Sequence, residues 1–181
     1  RSVSRGLGDV YKRQLINDLV LLSKIGETSA KDLTLIDTDL SEAVKSSTGS
    51  FRQMIEDAGK TLSVEAGSGI RAKVEPRLFS EIVSILLDNA VKYCDEKGTI
   101  TAHLEKNKKG VILSVSNPYK EGASEDYERF FERFYRGDTS HNSKKSGYGI
   151  GLSMARDMAR LMKGSLDVSY KDGVITFSVS L

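Results

Sequence analysis

Two hydrophobic rhythms alternate along this chain, and their order predicts its elements. Leu78, Ile82, Ile85, Leu86, Ala90 and Tyr93 recur at three- and four-residue steps, so a helix with one buried face is expected to start near Leu78 and end at Tyr93. Pro76 suits its first turn. A second amphipathic stretch, from about Leu40 to Ala58, puts Leu40, Val44, Ser47, Phe51, Met54, Ile55 and Ala58 on one side. Asp39 or Ser41 can cap its start, and Gly59 ends it. A third helix, Ile150 to Met162, turns Leu152, Ala155, Met158, Ala159 and Met162 inward and stops at Gly164. Period-two alternation predicts strands over 61–66 and 70–74 around the Gly67-Ser68-Gly69 turn, and over 99–105 and 111–116 across a lysine-rich loop. A last hairpin, 165–170 with 174–181, turns at Lys171-Asp172-Gly173. Residues 26–38 read as a polar connection, 127–135 as a short helix, and 136–147, poor in large apolar side chains, as a mobile stretch.

The start of the chain reads differently. Leu15, Leu19, Leu22 and Ile25 form a short seam spaced like a coiled coil, too small to fold alone. Such a seam suggests the last turns of a helical hairpin that packs against another chain. Residues 1–14 lack sustained periodicity and resemble read-through sequence, so they are expected to be non-native and are set apart from the fold.

Composition narrows the class. With 39% hydrophobic and 29% charged residues, the chain suits a soluble α/β or α+β protein of one sizeable domain plus an appendage. A net charge of +2 is too small to argue for nucleic acid or an anionic membrane surface. The lone Cys94 excludes an intrachain disulfide and a multi-cysteine metal site, and reads as a core thiol. No apolar run approaches the ~20 residues of a membrane span, so a cytoplasmic fragment is expected, from a parent that upstream segments could anchor in the inner membrane.

Candidate chemistry sits in two places. Asn89 interrupts the apolar helix with an uncharged amide, whose oxygen is a hard ligand suited to Mg²⁺, and Lys92 lies where an ammonium could reach a phosphate. An amide on the rim of a packed helix beside a solvated lysine explains those residues equally well. Further on, Gly147, Gly149 and Gly151 alternate immediately before a helix, where free amides and the helix dipole attract phosphate. His103 falls in a strand and His141 in the polar stretch, and both read as ordinary residues. Lys106, Lys108 and Lys109 read as a solvated hairpin tip, and Phe130, Phe131 and Phe134 as hydrophobic anchors of their region.

The ordered set is more specific than its parts: an Asn helix, a strand ending at Asn117, the run Phe131-Glu132-Arg133-Phe134-Tyr135-Arg136, then the glycines. It resembles the ATP-binding catalytic domain of sensor histidine kinases, within the superfamily of gyrase, heat-shock chaperone, kinase and MutL-type ATPases. The likeness covers about residues 33–181, and residues 15–25 resemble the end of the dimerisation and phosphotransfer hairpin. The resemblance implies a two-layer α/β (α+β) sandwich of Bergerat type, with a mixed five-stranded sheet on three helices and an ATP lid near 136–147. It further implies Mg²⁺ at Asn89, phosphate at Lys92, adenine beside Tyr93, and a base contact at Asn117. Gly147, Gly149, Gly151 and Leu152 would support the triphosphate, and Arg136 would reach its γ-phosphate. ATP would be the phosphoryl donor, a histidine on the absent hairpin the acceptor, and a response regulator aspartate the next recipient. The parent would be a homodimer through its hairpin helices.

Two positions depart from the family pattern. Ile85 stands where histidine kinases usually carry another Asn and the ATPase branches carry a Glu, and it cannot activate water. In place of Asp-x-Gly-x-Gly the chain reads Asn117-Pro118-Tyr119-Lys120-Glu121-Gly122, which implies reduced or altered nucleotide contact. A degenerate kinase acting as a nucleotide-binding or dimerisation scaffold is the rival reading. A serine kinase of the same fold and a gyrase- or chaperone-type ATPase fit less well.

Overall fold

The computed structural model describes residues 33–135 and 149–181, together with Ile16, Val20, Ser23 and residues 25–27. The expectations for residues 1–14, for Leu15, Leu19 and Leu22, and for residues 136–147 with His141 lie outside the described residues. Chain order gives β1 (Ile36–Asp39), α1 (Leu40–Asp57), β2 (Thr61–Ala66), β3 (Arg71–Val74), α2 (Pro76–Tyr93), β4 (Thr99–Asn107) and β5 (Gly110–Pro118). Two 3-10 turns follow, Lys120–Ser124 and Tyr127–Phe131, then α3 (Gly151–Leu161), β6 (Ser165–Lys171) and β7 (Val174–Ser180).

A five-stranded sheet runs in the order β2-β4-β5-β7-β6. It is mixed: β2 pairs parallel with β4, and the other neighbours are antiparallel. Alternation sends Ile100, Ala102, Leu113, Val115, Phe177 and Val179 to one buried face, which the helices cover. The opposite face carries short polar side chains, with Ser114 and Ser178 bonded hydroxyl to hydroxyl at 3.2 Å and His103 in register with Glu65 and Ser114.

Local chemistry explains the helix boundaries. The Asp39 carboxylate accepts from the Glu42 amide at 3.2 Å and caps α1, while the Ser41 hydroxyl instead accepts from the Ile70 amide. Glu75 caps α2 through the Leu78 amide at 2.6 Å, and Pro76 occupies the first turn, where its missing N–H costs nothing. The buried face of α2 is broader than the apolar spacing predicts. Phe79, Val83 and Leu87 are buried alongside Ile82, Leu86 and Ala90, whereas Leu78 and Ile85 lie at its edge. α2 packs against both α1 and α3. On α1, Met54 is exposed and Ala58 lies beyond the helix end, correcting the face read from sequence.

Three further expectations change. Residues 36–39, read as connection, form β1, which pairs with β3 in a separate two-stranded sheet. The helix expected over 127–135 shrinks to the Tyr127–Phe131 turn. Phe134, expected as a hydrophobic anchor, is 64% exposed with φ at +66°, while Phe130 and Phe131 pack on the core. Among the described residues, no helix is long and apolar enough to cross a membrane.

Candidate functional site

One stripe of α2 carries Ile85, Asn89 and Tyr93, four residues apart and roughly 12 Å from end to end along the axis. At its first residue the stripe meets α3: a Cβ added to Gly151 would sit 3.3 Å from Ile85 Cγ2. At its last residue it meets the end of β5. The Tyr93 and Tyr119 rings lie edge to face with centroids 6.0 Å apart, and the Asp95 amide donates to the Pro118 carbonyl at 2.9 Å. Between these two contacts Asn89 is half-buried, and its amide has no hydrogen-bond partner among the described residues. A half-buried amide without a protein partner suits a hard cation or a ligand oxygen.

The start of α3 can attract an anion. Its first residue follows Ile150, which provides no side-chain cap, and the amides of an uncapped helix start favour negative charge. Gly149 takes φ of +68°, and an added Cβ would lie 2.4 Å from the Tyr135 carbonyl oxygen. Its own carbonyl accepts from the Phe134 amide at 2.9 Å. The backbone at 134–135 is therefore tied to the backbone at 149. Arg156 lies over the Phe131 ring at 4.7 Å and Arg133 reaches Asp157 at 3.5 Å, which fastens the same segment to α3.

The end of β5 is dense with protein. Asn117 is 2% exposed and donates through Nδ2 to the Pro118 carbonyl at 3.0 Å. Tyr119, 6% exposed, gives its amide to the Gly173 carbonyl and its hydroxyl to Glu125. Burial, then the Glu125 carboxylate, pushes its phenol well above the ordinary value. Around Gly122 the Tyr119 and Tyr170 rings and the Tyr127 hydroxyl leave no room for a Cβ, each lying 2.7 Å from where it would be. The Tyr127 and Tyr170 rings stack at 5.7 Å.

Comparison with known proteins shows the family. The model of the histidine kinase-, DNA gyrase B- and HSP90-like ATPases matches residues 74–181. The chain belongs to this ATPase family. Among curated relatives of this ATPase domain, the probable sensor protein PcoS of Escherichia coli is 29% identical over 168 residues, covering 93% of this chain and 35% of that protein. The sensor histidine kinase RppB of Synechocystis is 32% identical over 157 residues, covering 86% and 34%. The chain thus spans about a third of the length of these relatives. The catalytic domain of histidine kinase ThkA has the same fold, with a TM-score of 0.70 at 19% identity over 82% of this chain and 95% of that domain. The chain is an ATP-binding catalytic domain of the sensor histidine kinase type.

In this ATPase domain, Asn89, Tyr93, Asn117, Gly149, Gly151 and Leu152 all fall around the α2 stripe, the end of β5 and the start of α3. Arg136 and Gly147 lie outside the described residues. Lys92, expected to be open to phosphate, is 28% exposed and pairs with Asp88 one turn earlier at 2.5 Å. Sequence reasoning missed Asp88, which its four-residue spacing from Lys92 could have marked. Cys94 is buried, and burial raises its thiol pKa, outweighing the nearby Lys60 ammonium, as suits a core thiol. Sequence reasoning missed Asp95, whose carboxylate accepts from the Lys120 amide at 3.1 Å and fixes the chain leaving β5. Its partner is 25 residues away, and no local signal marks it.

Proposed function

We propose that this chain is the catalytic part of a sensor histidine kinase, holding Mg–ATP for transfer of the γ-phosphoryl group to a histidine on a dimerisation hairpin. Residues 15–33 would be the end of that hairpin helix and its linker, residues 34–181 the catalytic unit, and residues 1–14 a leader foreign to both. The observation that carries the reading is the contact of Ile85 with Gly151, which puts the unpartnered Asn89 amide one turn from the uncapped start of α3.

In this reading Asn89 would hold Mg²⁺, which would supply charge neutralisation on the phosphate oxygens. Lys92 leaves Asp88 for a phosphate, and the α3 amides beside Gly149, Gly151 and Leu152 take the rest of the chain of phosphates. Gly147 and Arg136 complete the phosphate contacts, and Tyr93 and Asn117 flank the base. The protein's work is positioning and charge stabilisation, with the hairpin imidazole as nucleophile. With Ile85 beside the site, no side chain at that position activates water, so ATP is kept for the histidine. A response regulator aspartate would receive the group next, and the parent would be a homodimer through its hairpin helices, with upstream segments able to anchor it in the inner membrane.

Mg–ATP titration and phosphotransfer to a separately supplied hairpin domain test this reading. The chain alone is expected to bind Mg–ATP and stay unlabelled by radioactive ATP, and to label the hairpin histidine when both are present. Asn89→Ala is expected to weaken Mg-dependent binding by at least about tenfold, the loss of one charge-assisted contact. An unchanged titration curve for that variant refutes the metal assignment. Tight Mg–ATP binding with no transfer to the hairpin refutes the kinase assignment and leaves a nucleotide-binding scaffold.

A further inference from the structure

Tyr93 is the last residue of α2, and Cys94 after it is already extended. Inside a helix, the side chains three and four positions on lean back over a residue and wall it in. For Tyr93 no such turn follows, and the wall comes from another segment. The Tyr119 ring stands edge to face with the Tyr93 ring, centroids 6.0 Å apart and planes at 69°. Aromatic pairs favour this arrangement.

Tyr119 is itself fixed from several sides. Its amide donates to the Gly173 carbonyl at 2.8 Å, and its carbonyl accepts from the Gly122 amide at 3.1 Å. Its hydroxyl donates to the Glu125 carboxylate at 3.3 Å, and its ring lies so close over Gly122 that a Cβ there would be 2.7 Å from Tyr119 Cδ1. Tyr119 is buried and offers a ligand almost no face, whereas Tyr93 is half-buried. A glycine at position 119, as the family pattern has it, would give the Tyr93 ring nothing to stand against.

We infer, on the reading of the cleft as a nucleotide site with its base end at Tyr93, that Tyr119 is a positioning residue for the nucleobase. It holds the Tyr93 ring in one rotamer, so that the base meets an aromatic surface already in place. Released from Tyr119, the Tyr93 ring spreads over two or three staggered wells, and the fraction ready for the base falls to about a third. Nucleotide affinity falls by the same factor, about threefold. Because Tyr119 works through Tyr93, its contribution exists only while the Tyr93 ring is present.

A double-mutant cycle read by calorimetric titration with Mg–ATP tests it, using the whole chain, Tyr93→Leu, Tyr119→Leu and the pair together. Tyr93→Leu is expected to raise Kd about tenfold, the loss of one aromatic surface under a base. Tyr119→Leu is expected to raise it about threefold in the wild-type background and not at all beside Tyr93→Leu. Tyr119→Phe, which keeps the ring and gives up the Glu125 bond, is expected to restore most of the affinity lost in Tyr119→Leu. If leucine unfolds the chain, Tyr119→Met, a more adaptable filler, runs the same cycle. An unchanged Kd in Tyr119→Leu overturns the inference, as does an equal loss with and without the Tyr93 ring, or a loss in Tyr119→Phe as large as in Tyr119→Leu. In each of those cases a weakened Tyr93→Leu leaves the nucleotide site standing. If the wild-type chain does not bind Mg–ATP, or Tyr93→Leu binds it unchanged, the reading of the cleft falls and the inference with it.

Discussion

Gly149→Ala and Gly151→Ala look equivalent on paper, two glycines in one run before a helix, yet the structure separates them sharply. At Gly149 the backbone has φ of +68°, a region that costs an L-residue about 1–2 kcal/mol. The new Cβ would stand 2.4 Å from the Tyr135 oxygen and 2.9 Å from the Phe134 carbonyl carbon, and both are main-chain atoms that no rotamer can move. Relief requires the two backbones to part, breaking the Phe134–Gly149 hydrogen bond at a further cost of about 1 kcal/mol. The total is about 2–3 kcal/mol, or a fall in Tm of about 4–12 °C for a domain of this size. At Gly151 the residue is helical, its Cβ would meet only a methyl group, Ile85 Cγ2, at 3.3 Å, and alanine is about 1 kcal/mol the better helix former. The two effects offset, leaving a net change within about 1 kcal/mol of zero. Urea unfolding and calorimetry of both variants measure the contrast. Loss of less than about 0.5 kcal/mol in Gly149→Ala, or an equal loss in both variants, would refute the backbone staple and the reasoning built on it.

Two further outcomes follow from charges. Asp88→Ala releases Lys92 from its ion pair and removes a carboxylate facing incoming phosphate, so nucleotide binding should tighten about threefold. Lys92→Ala should weaken it about tenfold, and titrations at low and high salt should show a smaller salt dependence for that variant. The Tyr127 phenol is pushed up to about 12 from 10.0, first by burial and then by the Tyr170 and Glu125 charges. Its neutral form is favoured in the folded state, so the unfolded chain loses this proton first as pH rises. Stability should accordingly hold below pH 10.0 and fall between there and about 12, as midpoints of urea unfolding across that range would show.

Local rules made most of the strands and helices legible in the sequence. Alternation located β2, β4, β5, β6 and β7 to within two residues at each end, and the Pro76 and Gly59 signals placed helix boundaries well. What escaped depends on partners distant in sequence. β1 has an exposed Ile36 and three polar residues, and it is a strand because β3 pairs with it and Arg71 reaches Asp37 at 2.9 Å. The width of the α2 core face follows from two helices packing on it, which one stripe of spacing does not reveal. The helix expected after Asp126 stops early because the Phe134 amide goes to Gly149 rather than to a preceding turn. In the site, Asn89 and the glycines were legible from their order. Tyr119 read as a bulky substitute for glycine, but its neighbours Tyr93, Tyr170 and Gly173 come from three other segments, so only the fold shows it as part of a packed cluster.

The bond between the Phe134 amide and the Gly149 carbonyl has a consequence for how this sequence can drift. It ties the backbone at 134 to the backbone at 149, so the intervening sequence has fixed ends. Doubling the length of chain between two joined ends costs only about 0.6 kcal/mol in closure entropy. Insertions and deletions there should be cheap over evolutionary time, whereas the two flanking positions, one glycine against another backbone, have almost no latitude. Variation among related domains would then come from spliced-in length between two fixed posts.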